Sequence, residues 1–292
     1  MAVPKPAAPV VWLRLMVLAA ALFWPWQSLP ADDTPVFAGD PVPSRELPAG
    51  AVQILENPGF RVGYSEVSRQ PLWVGFRAES VRGKPPLGAR PAGFSADTRL
   101  AHPVSSRDYA SRKNGGRYTR GHLAPNYLIG KLYGRAGQLA TFLMSNVSPQ
   151  SRRLNELLWQ RLEEAEIDVV APAMGHLYVL TGPLFGDARV VLRSGIPVPE
   201  AFFRIWLDLL PSGEPRALAF IVPQDVCGTE PLSRYLTTID EVERRTQLDF
   251  YAPLENALED RLEASTRTDG WNVQKFDRLA PRYAGNFESL KC

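Results

Sequence analysis

Tyr118-Thr119-Arg120-Gly121-His122-Leu123-Ala124-Pro125-Asn126 is the stretch on which the reading of this chain turns. It sets one of only three histidines beside an arginine and a glycine. A histidine titrates near neutrality and serves as a general base. Gly121 lets the backbone turn sharply or approach a ligand closely. Arg120 is a permanent cation suited to phosphate. The other two histidines have plainer settings. His102 precedes a proline in a loop, and His176 leads into a strand, so both read as structural. Arg-Gly-His alone is short enough to arise by chance.

The second half of the argument lies downstream. Ser145-Asn146-Val147-Ser148-Pro149-Gln150 leads into residues 151–166 (SRRLNELLWQRLEEAE), the clearest helix of the sequence. Leu154, Leu158, Leu162 and Ala165 fall on one stripe, with charged residues elsewhere. Ser148 reads as the N-terminal cap and Pro149 as the first helical residue. Asn155 and Trp159, four apart, adjoin on the helix surface. Asn155 reads either as an ordinary surface asparagine or as a neutral oxygen ligand. Mg²⁺ keeps several waters and needs only one or two protein oxygens besides substrate phosphate.

Around this centre, apolar and polar residues alternate over 60–64 and 71–77, predicting two strands joined by a turn at 65–70. Residues 82–93 and 107–120 read as loops, the second turning at Asn114-Gly115-Gly116. Further strands are predicted at 177–180, 201–210 and 217–222, and a further helix at 233–246. This order is mixed rather than alternating, which predicts an α+β fold with an antiparallel-rich sheet. With 45% apolar and 22% charged residues, the composition excludes a disordered or fibrous chain.

The formal net charge is +2 over 292 residues. It is supplied entirely by Lys5 and Arg14 in the first 31 residues. The remainder is neutral but unevenly so. Residues 61–135 carry 14 bases against four acids, while 32–60 and 136–292 are acidic. A basic coat over the whole molecule is excluded, and a local anion-attracting surface is not. That surface would draw on Arg107, Arg112, Lys113, Arg117, Lys131 and Arg135 for phosphate contacts that hold any sequence.

Leu15–Trp26 is an apolar run preceded by bases and followed by Leu29-Pro30-Ala31 and two aspartates. This reads as a secretory signal, with an uncleaved membrane anchor as the alternative, because the run is short for a span. The expectation is export to the periplasm or the medium. In an oxidising compartment the two cysteines, Cys227 and Cys292, suit a disulfide. The chain divides into 1–31 as signal or anchor, 32–53 as linker, 54–260 as the main domain and 261–292 as a C-terminal extension expected to pack on it.

Taken together, Thr119 to Pro125, Ser145 to Gln150, Leu154-Asn155, Trp159 and Leu162-Glu163 resemble the DNA/RNA non-specific endonucleases, the family of Serratia-type nuclease and endonuclease G. The likeness continues through Thr181 to Phe185, Ile196 to Pro199 with Phe203, and Ala219 to Ile221, ending near Asp249-Phe250. The resemblance implies a ββα-metal, or His-Me finger, fold whose sheet is flanked by helices. It implies an enzyme that cuts DNA and RNA with little sequence preference and leaves a 5′ phosphate. In it His122 matches the general base, Asn155 the sole protein ligand of a water-rich Mg²⁺ (Mn²⁺ being the other candidate), and Arg120 the arginine near the phosphate. Asn146 matches an asparagine that supports the site. Glu163 matches an acidic residue that acts on the cation through water. At 100° per residue it lies about 80° round the helix from Asn155. No small-molecule cofactor is expected, and monomer and homodimer both stay open. The family motif usually begins with aspartate where this chain has Thr119. The alternative function is an exported nucleic-acid-binding module without catalytic activity.

Overall fold

The strand-forming runs are apolar almost throughout because their sheet is covered on both faces. The computed structural model describes residues 34–44, 52–109, 117–186 and 190–289, and Met1. Its strands are β1 (Val42–Pro43), β2 (Gln53–Asn57), β3 (Phe60–Ser65), β4 (Gln70–Glu79), β5 (Tyr118–His122), β6 (Val147–Ser151), β7 (His176–Leu184), β8 (Ala201–Leu209), β9 (Pro215–Pro223), β10 (Leu236–Thr237) and β11 (Leu248–Asp249). Seven form one sheet in the order β10-β9-β8-β7-β4-β3-β2, with every pairing antiparallel. Along β8 the side chains alternate between two cores. Phe202 and Trp206 join one, and Phe203, Ile205 and Leu207 join the other. This is the period-two geometry of a strand, with both faces dry.

A long helix over 152–174 covers the first face, burying Leu154, Leu158, Trp159, Leu162 and Ala165. Its α-helical segments Gln160–Glu164 and Ala171–Met174 alternate with π-helical turns at Leu154–Trp159 and Ala165–Val170. Helix Ile239–Thr246 contributes Ile239 and Val242 to the second core, and helix Asn256–Glu263 contributes Leu262. The α+β reading and the antiparallel sheet are therefore found.

Several local expectations are corrected. Ser148 does not cap the helix. It lies in β6, fully buried, and its Oγ donates to Gln70 Oε1 at 2.6 Å. The capping oxygen belongs to Ser151, whose Oγ accepts from the Leu154 N–H. The reason is that residues 147–151 are claimed by pairing with β5. The helix expected at 233–246 is split into a 3-10 turn at Leu232–Tyr235 and an α-helix at Ile239–Thr246, the latter capped by Thr238 Oγ1, because Leu236 and Thr237 pair with β9. Residues 118–120, the end of the stretch read as loop, belong to strand β5 (Tyr118–His122). Helix Asn126–Thr141 was not anticipated; Gly134, at φ +69°, breaks it.

Part of the expected linker is folded. Val36 and Phe37 are buried in the second core, and β1 pairs with β11. Beyond Glu263, Trp271 and Phe276 enter the first core. Cys227 is disulfide-bonded. The only other cysteine of the sequence, Cys292, lies outside the described residues, as does the leader. Among the described residues no helix is long and apolar enough to cross a membrane.

Candidate active site

The site is built by β5, β6 and the start of the long helix, a ββα arrangement. In the β5–β6 register His122 faces Val147, Gly121 faces Ser148 and Thr119 faces Gln150. Gly121 is required here by close packing. A Cβ at that position would lie 2.0 Å from the Gln150 side-chain oxygen. Asn146 is fully buried and clamps the chain that follows His122. Its Oδ1 accepts from the Ala124 N–H at 2.9 Å, and its Nδ2 donates to the Ala124 and Thr141 carbonyls at 3.0 Å each. It supports the site without lining it.

His122 sits between two phenylalanines that sequence reading missed. Phe94 lies 5.0 Å from its ring and Phe142 4.9 Å, the latter edge-on. Burial, and secondarily the charge of Arg90, hold its pKa down to about 3, so the imidazole is neutral. Arg120 is tethered through Nη1 to Ser106 Oγ at 2.7 Å and lies 5.5 Å over the Phe94 ring. Thr119 Oγ1 donates to the Gln150 carbonyl and accepts from Asn155 Nδ2 at 2.9 Å. The hydroxyl's own proton is thereby committed, so the Asn155 nitrogen must face Thr119 and its oxygen turns away.

One cavity of about 510 Å³ gathers His122, Arg120, Asn155 and Glu163. Burial raises the Glu163 carboxyl to about 8; Arg204 opposes that shift, while Glu166 and Glu164 add to it. The cavity also brings in Arg90, Arg152 and Arg282, and Glu156, Glu164 and Asp168. Cations and carboxylates thus face the same space. His122 Nε2, Asn126 Oδ1, Glu156 Oε2 and Gln160 Nε2 are buried without a hydrogen-bond partner. Native proteins pair the great majority of such atoms, with protein groups or with ordered water.

The basic residues expected to meet phosphate are only partly here. Arg112 and Lys113 lie outside the described residues. Lys131 donates to the Lys84 and Pro85 carbonyls, and Arg135 to Ala89, so both hold the 84–89 loop. Arg107 is exposed and lines none of the described cavities. Arg117 lines a smaller pocket that shares Arg152 with the main cavity. His102 is exposed and 3.5 Å from Glu66, and His176 packs edge-on to Tyr178, both away from the site.

The description DNA/RNA non-specific endonuclease matches residues 39–257 of this sequence. The chain belongs to that family. It is a hydrolase acting on nucleic acid. Human mitochondrial endonuclease G is 28% identical over 217 residues, covering 69% of this chain and 70% of that protein. The nuclease of Serratia marcescens is 26% identical over 203 residues, covering 67% and 72%. Among solved structures, a complex of EndoG with EndoGI aligns with a TM-score of 0.61 at 22% identity, over 70% of this chain and 87% of that one, and shares the fold. A binding module without catalysis is not favoured by these relatives.

Proposed function

We propose that this nuclease hydrolyses phosphodiester bonds of DNA and RNA with His122 as general base and a Mg²⁺ ion held at Asn155. The observation that carries the reading is the shared cavity of a neutral His122 and an Asn155 whose amide is oriented by Thr119. The donor set fits the ion. Asn155 Oδ1 accepts no hydrogen bond among the described residues, Glu163 stands in the same cavity, and hard divalent cations prefer oxygen ligands. When bound, the cation supplies Lewis-acid stabilisation of the phosphate's developing charge.

The chain's own residues do the rest. Nε2 of His122 is buried, which leaves Nδ1 as the nitrogen open to an attacking water. A proton kept on Nε2 leaves the Nδ1 lone pair free to take one from that water. The negative phosphate of the substrate raises the low pKa of this imidazole when the proton has to be accepted. Arg120, held by Ser106, and Arg90 offer fixed positive charge to the phosphate oxygens. Phe94 and Phe142 keep the ring in place and exclude water from its faces. The Cys227 disulfide supports the further reading that the chain is exported.

The test is cleavage of plasmid DNA and of RNA with Mg²⁺, with chelator and with the His122→Ala variant. Wild type should cut both substrates, and chelator should stop it. His122→Ala should lose roughly 10²–10⁴-fold in kcat. Full activity in His122→Ala would remove the proposed base, and metal-independent cutting would remove the ion.

A further inference from the structure

Part of the lining of the cavity comes from outside the family match. Arg282, Tyr283 and Asn286 line the same space as His122 and Asn155, yet the match ends at residue 257. The segment that carries them, 277–289, is fixed by contacts along its whole length. Buried Arg161 donates to the Leu279 and Asp277 carbonyls at 2.8 and 3.1 Å. The Asp277 carboxylate accepts from the Ser233 N–H and Oγ. The Arg282 N–H donates to Gln160 Oε1, and its guanidinium pairs with Glu164 at 2.5 Å. Arg152 donates to the Asn286 carbonyl and lies 4.7 Å over the Phe287 ring, and Arg153 donates to the Ser289 carbonyl.

These anchors are backbone groups, Asp277, Arg282 and Phe287. Tyr283 is not among them. It lines the cavity and stays 45% exposed, comparable to Tyr127 in the same lining at 44%. Gln160, Glu164, Arg152 and Arg153, which hold the segment, come from the helix that bears Asn155 and Glu163. The backbone that carries the ring is therefore tied to the helix that bears Asn155 and Glu163. A rigid aromatic face beside arginines is the arrangement that receives an unpaired nucleobase. In a duplex the base faces are occupied by neighbouring bases and cannot take such a contact.

We propose that Tyr283 is a base-stacking platform for single-stranded substrate, and that segment 277–289 is the wall that positions it. This rests on the nuclease reading above and adds a strand preference to it. The test is binding of a fluorescein-labelled short single strand of mixed sequence, and of its duplex, to the full chain carrying His122→Ala, followed by anisotropy at one fixed salt concentration. Tyr283→Ala should weaken the single-strand Kd by about fivefold or more and change the duplex Kd by less than about twofold. Tyr283→Phe should bind as the parent does. A single-strand Kd unaffected by Tyr283→Ala, an equal loss on both substrates, or no single-strand binding by the parent would each overturn the proposal. Failure of the nuclease reading would show elsewhere, as a wild type that cuts neither DNA nor RNA with Mg²⁺.

Discussion

Glu163 and Glu166 stand three residues apart on one helix and do opposite work. Glu166 is fully buried, and its carboxylate accepts from Arg204 Nε and Nη2 and from Trp206 Nε1. Every element of that cluster lies in the sheet or the helix packed on it, so it holds the fold together. Glu163 faces the cavity with no such partner, and burial raises its carboxyl to about 8. A buried acid that is paired is a structural tie. A partly buried acid without such a partner, in the cavity that His122 also lines, is suited to meet a cation or substrate. Sequence position does not separate the two, since both are glutamates in one acidic run.

The contrast can be broken most forcefully at Glu166. Glu166→Gln leaves the Arg204 guanidinium with an uncompensated buried charge, and should cost roughly 3–5 kcal/mol of stability in denaturant unfolding. A loss below about 1 kcal/mol would mean that the pair does not hold the core. Glu163→Gln should do the reverse. Activity or cation affinity should fall about 10–100-fold, as for groups that act on a metal through its surroundings, while the fold survives.

The same variant carries a pH signature. Glu163 binds its proton more tightly folded than unfolded, so the folded chain is favoured most below the ordinary carboxyl range of about 4.5 and loses that advantage as pH rises through about 8. Glu163→Gln should therefore match wild type in Tm at pH 5 and exceed it at pH 9. Cation binding to wild type must expel that proton, so affinity measured by calorimetry should rise with pH up to about 8, and the slope should vanish in the variant. The smallest expected effect is at Thr119. Thr119→Val frees the Asn155 amide at a cost of about 0.5–1.5 kcal/mol, a few-fold to tenfold weaker cation binding. Unchanged affinity there would show that Asn155 is oriented by something other than Thr119.

Thr119 also shows how far sequence reading carried. Its replacement of the family aspartate was visible, and what it does was not. The structure gives it the hydrogen bond that holds the Asn155 amide nitrogen and so turns the Asn155 oxygen away from Thr119. His122, Arg120, Asn155 and Glu163 were singled out through the resemblance of their ordered motifs to the family, and the structure gathers all four around one cavity. Arg90, Phe94 and Phe142 were not legible, since a loop arginine and two phenylalanines carry no periodic signal. Arg282, Tyr283 and Asn286 were further out of reach, lying more than a hundred residues downstream in a tail with no recognised motif. Net charge along the chain locates positive residues, but Lys131 and Arg135 turn to backbone carbonyls of a neighbouring loop.

The long helix marks the same boundary. The sequence by itself determined that residues 152–166, all but the first of the expected stretch, are helical, which stripe is apolar, and that Asn155 and Glu163 belong to one helix. On an ideal α-helix they diverge by about 80°. The π-helical turn at Leu154–Trp159 takes roughly one extra residue, which turns the later residues back by about 100° and leaves only about 20° between the two. Both side chains then reach one cavity. That turn is not written in local propensity. It forms where the packed sheet and the β6 junction set the helix's course, so the fold class and motif were sequence properties, and their convergence on one point was a property of the packed whole.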